Sequence, residues 1–272
     1  MVLPILLGLG AAGLFGLTMN SADNNNERAE RMNAKAFNRM GEAKRSLMLQ
    51  GEKTQKALTK LANRKKGIMA SGMKRFVELY EKLIKIELTE HDDGLDALLK
   101  SLDTEDLLSM KQMVAVSGRA MTDKELVVTM LCSFKYGGIL GSILKDSEIN
   151  MQIASLRKKQ ANAIASQSEN EEIVLKGIYD QAEAFSELLA KLNFLFLRSI
   201  KTSDEIITQK GNDSSRYTKA DHQCLMTCVN MAKAIKTVID APLFDENGEV
   251  SGAVKRAMTI GQDCLDKMAE AK

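Results

Sequence analysis

Tryptophan is absent from the 272 residues, aromatic side chains make up only 4%, and the two prolines are Pro4 and Pro242. Proline is the residue that most reliably breaks a helix, so the long stretch between them is free to form long helices, and a sandwich of short strands is disfavoured. Histidine is as scarce, with His91 and His222 alone. A catalytic or metal constellation would have to recruit one of them. The four cysteines, Cys132, Cys224, Cys228 and Cys264, lack the short paired spacings of a disulfide framework or a zinc ribbon, which points to a reducing compartment.

What is present is ordinary for a folded chain: 44% apolar and 27% charged residues, enough to bury a core. The net charge is only +2, but it is segregated. Residues 23–75 hold fourteen Lys and Arg against five Asp and Glu, whereas residues 78–106 hold three against ten.

The eighteen residues from Val2 to Met19 carry no ionisable side chain. That is close to the roughly 20 that cross about 30 Å of hydrocarbon as a helix, so a transmembrane or anchor helix is expected over residues 1–20. A cleavable signal peptide fits less well, because a basic leader region is missing and NSADNNN is a weak cleavage site. Gly8, Ala12 and Gly16 recur every four residues, a small-residue stripe that lets helices approach closely in lipid. Arg28, Arg31, Lys35 and Arg39 follow the segment. The positive-inside rule then places the body in the cytoplasm, on the inner (cytoplasmic) membrane, with these four side chains facing lipid headgroups.

A basic juxtamembrane helix is expected over 21–66, with apolar residues at Ala29, Met32, Ala36, Met40, Ala43, Leu47, Ala57 and Leu61 forming a heptad seam interrupted at Gln50 and Thr54. The remainder, 67–272, reads as a helical bundle. Helices are expected from Gly72 to Leu88, over 95–101 and 105–117 with Leu107 and Leu108 inward, and from Glu148 to Ile164. Further helices are expected from Glu169 to Ile207 with Ile173 buried, from Thr218 to the boundary at Pro242, and from Val250 to Ala269. Thr122 with Glu125, and Ser168 with Glu171, have capping-box spacing. Between the first of these boxes and Leu144 lies an apolar stretch, 126–144, with Lys135 as its one charge and with Gly137, Gly138 and Gly141. Lysine at mid-bilayer is expensive. A buried hairpin or core helix is the plain reading, and a latent membrane-inserting element the bolder one.

Chemistry is thin. Cys224 and Cys228 at i and i+4 could offer thiolates to zinc near His222, but small buried cysteines are common in cores. The acidic loop Asp240 to Glu249 lacks calcium-ligand spacing. The run Lys60 to Lys66, with Arg64, Lys65 and Lys66, has no interleaved aromatics to stack on bases, which disfavours nucleic acid. It reads as a solvated face or a surface for anionic lipid.

SGMKRFVELYEKL at 71–83 and VNMAKAIKTVIDAPLFDENGEV at 229–250 resemble a family of uncharacterised bacterial proteins that set a glycine-rich apolar region between helical segments. The resemblance implies architecture and nothing about activity. The expectation is therefore an all-α, non-enzymatic, membrane-anchored scaffold or effector subunit without cofactor, which self-assembles or binds a protein partner. The alternative is a membrane-perturbing, pore-forming toxin or antiviral defence effector.

Overall fold

The computed structural model describes residues 26–87, 93–132, 139, 171–245 and 249–270, and side chains of the first helix from Arg45 onward. The fold is all-α. In chain order α1 spans Asn26–Ile68, a π turn Met69–Met73, α2 Lys74–Leu83, α3 Asp93–Ser101, α4 Thr104–Ser117, α5 Asp123–Leu131, α6 Glu171–Lys210, α7 Lys219–Asp240 and α8 Gly252–Glu270. Among the described residues extended backbone pairs only as isolated bridges, Glu87 with Asp213, Cys132 with Phe244 and Phe244 with Val250.

The spine is α1, the π turn and α2 lying along α6, and the two run parallel. Ser46 donates to Glu172 at 2.8 Å, Thr54 to the Leu175 carbonyl at 3.0 Å, Lys60 to Glu183 at 2.6 Å and Lys82 to Asp204 at 2.6 Å. One buried stripe, Leu58, Leu61, Ala62, Lys65 and Ile68 of α1 with Met69 of the π turn, lies in the core that also holds Phe185, Leu189, Leu192 and Phe196 of α6. Each fully buried Leu or Phe contributes about 1.5–3 kcal/mol relative to an exposed one. The π turn inserts an extra residue that re-phases this stripe, so that Gly72 and Met73 stay buried and Phe76 reaches Phe196, with ring centroids 5.8 Å apart. Gly72 is needed for that approach: a Cβ there would lie 2.9 Å from Asn193 Oδ1 and 3.2 Å from a Phe196 ring carbon.

Sequence signals set the ends. Thr122 and Glu125 form the expected capping box on α5, and Thr218 and Asp221 form another on α7. Gly211 turns the chain after α6 with φ of +72°. On α8 the small stripe Val254, Ala257 and Gly261 is buried, with Gly261 against Leu188 and Leu192.

Several expectations are corrected. Thr54, read as a break in the apolar seam, is fully buried, its hydroxyl bonded to the carbonyls of Gln50 and Leu175. Leu108 is 55% exposed and Ile173 71% exposed, because each lies off the stripe its helix turns inward. Of the two forms read for 126–144, a buried hairpin or a core helix, the single helix is excluded, and the hairpin rests on residues outside the described ones. Residues 126–131 are buried in α5, but Cys132 is extended (φ −95°, ψ 149°), and the Phe244 amide donates to the Leu131 carbonyl at 2.9 Å. The Ser168 capping box and the helix expected from Glu148 to Ile164 lie outside the described residues. Among the described residues no helix is long and apolar enough to cross a membrane. The segment 2–19 lies outside them.

Candidate functional site

The unusual chemistry of the described residues is one buried lysine. A helix turns about 100° per residue, so three consecutive basic residues cannot share one solvated face. Lys65 continues the stripe set by Leu58 and Leu61 and is 0% exposed, which corrects the reading of Lys60 to Lys66 as a solvated or lipid-facing run. Its Nζ donates to the Ala241 carbonyl at 2.6 Å and the Met130 carbonyl at 3.1 Å, and lies 5.1 Å from the centre of the Phe185 ring. Met130 is in the last turn of α5 and Ala241 is the residue that ends α7, so both acceptors are helix-terminal carbonyls lacking an intrahelical donor. A cationic or strongly donating side chain is favourable at such ends.

Around this atom the chain makes a joint. Asp240, one residue before Ala241, accepts from the Ile139 amide at 3.0 Å, and Ile139 is itself buried. Phe244 bonds to Leu131, and Ser251 donates back to Leu243 at 2.9 Å, so the chain leaving α7 is strapped to the chain leaving α5. Burial drives Lys65 down to about 7 from the usual 10.5, opposed first by the charge of Asp240 and then by Cys132. Burial pushes the Cys132 thiol up to about 12, with Lys65 acting against it. Cys132 is therefore a protonated thiol and no thiolate nucleophile. With Nζ wholly enclosed, a solute cannot reach the amine in this arrangement.

Other lysines bond the ends of short helices. Lys66 donates to the Arg119 carbonyl past the end of α4 at 2.8 Å, and Lys233 to the Ser101 carbonyl that ends α3 at 2.7 Å. Lys236 pairs with Asp106 at 2.9 Å. Tyr80, whose hydroxyl is raised in pKa by burial, donates to the Leu99 carbonyl at 3.1 Å.

Gly8, Ala12 and Gly16, and likewise Lys135, Gly137, Gly138 and Gly141, lie outside the described residues. Arg28, Arg31, Lys35 and Arg39 fall on the helical backbone of α1, with side chains outside the description. His91 also lies outside it. His222 stacks on Tyr217 with ring centroids 6.2 Å apart and sits against Gly94. Cys224 is exposed while Cys228 is fully buried, its thiol pushed up to about 11 by burial, so the two sulfurs do not converge. Among the described residues no group of three His, Cys, Asp or Glu is arranged to hold a metal. Sequence reading missed Lys65 and Asp240, although the gap of four from Leu61 was the signal for the lysine. The chain matches no family model, no curated protein and no solved structure.

Proposed function

We propose that this chain is a membrane-anchored helical scaffold or effector subunit, held at the inner membrane by residues 2–19 with its body in the cytoplasm. It carries out no reaction of its own and works by self-assembly or by binding a protein partner. The observation that supports this reading is the continuity of α1. One helix of 43 residues joins the basic residues Arg28 to Arg39 to the buried stripe ending at Ile68. Ser46 is level with Glu172 near the start of α6, so residues 26–45 carry the helix about 30 Å further, at 1.5 Å per residue. An anchor ahead of α1 would thus be joined to the core through a continuous helix from Asn26 onward.

Deleting residues 2–19 should move the protein from the membrane fraction to the soluble fraction. Unchanged fractionation would remove the anchor. Replacing Ala12 and Gly16 by Leu keeps the segment apolar but blocks close helix approach. Crosslinked oligomers should then diminish at constant membrane association if the stripe drives assembly.

A second reading, the membrane-perturbing effector, is favoured by α5, where six consecutive residues from Leu126 to Leu131 are buried. A helix enclosed on every side belongs in a core or in lipid. Leakage of liposomes by the purified protein would favour it over the scaffold.

A further inference from the structure

We propose that the Lys65 joint is a proton-gated latch, closed around the neutral amine and opened when protonation creates an ammonium the site does not balance, freeing the end of α5, Ile139 and the 241–245 strap from α1. The geometry suits the neutral form. An uncharged amine has two N–H groups, and the joint supplies two carbonyl acceptors, at 2.6 and 3.1 Å. An ammonium has three. In the third direction it meets the Phe185 ring at 5.1 Å, a weaker partner than a carbonyl or water.

Among the described residues the groups that act on Lys65 from its neighbours are few. From α7 comes Asp240, whose carboxylate holds the Ile139 amide. Among the described residues no carboxylate lies within the 4.0 Å of an ion pair with Lys65 Nζ. From the end of α5 comes Cys132, a neutral thiol, and from α6 only the uncharged Phe185. On α1 itself Lys66 is turned away onto the Arg119 carbonyl, and Arg64 is partly exposed. The C-terminal ends of α5 and α7 offer the ammonium partial negative charge, but burying a cation there without a close counter-charge is still costly, whereas the open joint would hydrate it.

The sign follows from the two states. Closed, Lys65 titrates at about 7, and open it returns toward the usual 10.5, so opening takes up a proton. Acidification therefore favours opening, and the effect saturates once the closed form is itself protonated. Linkage gives a rise of roughly 50-fold in the opening constant from about pH 9 to about pH 7, and less than about twofold more by about pH 6. This is the reverse of a latch that needs its charge. It also predicts that global stability rises with pH between about 7 and 10.5.

The test is hydrogen exchange of the full-length chain, read as absolute protection at the Ile139 and Phe244 amides and corrected for base catalysis, with the Leu189 amide in the spine marking the higher protection set by global unfolding. Protection at the first two should fall by roughly 50-fold from about pH 9 to about pH 7 and then level off, while Lys65→Met shows no such dependence. Protection that does not change with pH, or an equal slope in Lys65→Met, overturns the latch. If the variant does not fold, the Lys65 Cε resonance of the wild type decides. A midpoint near the pH where protection levels off supports the latch, and a midpoint in the usual lysine range overturns it. None of these readouts requires a membrane, so failure of the anchor reading leaves this test intact.

Discussion

The parallel spine and the layer of short helices beside it are held by different forces. Along the spine, α1 with α2 and α6 bury unbroken apolar stripes, and the pairs between them, such as Lys82 with Asp204, are half exposed and weak. In the short layer, α3 and α5 have nine residues each, so the four carbonyls without intrahelical donors at each C-terminus are a large share of the helix. Lys233 serves α3, Lys66 the turn after α4, and Lys65 both α5 and α7. The lesson is that a long helix is placed by its face and a short one by its ends.

The contrast breaks most visibly in the spine. Phe196→Ala removes a fully buried ring that packs on Phe76, and should lower stability by about 3–5 kcal/mol, read as a shift of the denaturant midpoint at unchanged slope. A loss below about 1 kcal/mol would show that the register of α1 on α6 does not depend on that contact. Next in size is Gly261→Ala, whose Cβ would come within 2.8 Å of a Leu188 methyl. It should cost about 1–3 kcal/mol by overpacking, and Leu188→Ala in the same chain should recover part of the loss, as a double-mutant cycle would measure. The smallest effect belongs to the short layer. Lys233→Met deletes the donor to the Ser101 carbonyl at a half-exposed site and should cost about 0.3–1 kcal/mol globally, while speeding exchange of amides in α3 more than in the spine. Equal acceleration in both regions would refute the idea that the lysines act locally.

Helix type and helix ends were legible because their causes are local. Capping hydroxyls at Thr122 and Thr218 and the break before Pro242 all act within a few residues. The pairing of α1 with α6 was not legible, since apolar periodicity tells which face is buried and not which helix buries it. Lys65 falls between these cases. Its place on the stripe of Leu58 and Leu61 marks it as inward, but its composition says outward, and only the carbonyls of Met130 and Ala241, distant in sequence, resolve the conflict. Leu108 and Ile173 failed in the opposite sense, as apolar residues that none of the described helices covers.

The parallel register also fixes an order of events during synthesis. Ser46 meets a partner 126 residues later, Lys60 one 123 later and Lys82 one 122 later, a nearly constant lag along the whole spine. A helix hairpin could close as soon as its turn left the ribosome, but α1 must wait for everything between it and α6. At about 5–20 residues per second that is on the order of 6–25 seconds during which Leu58, Leu61, Ile68 and Met69 lack the surface that covers them. The first described helix to be made is thus among the last to be paired, and in that interval its apolar stripe is a natural target for a chaperone or for a misplaced neighbour.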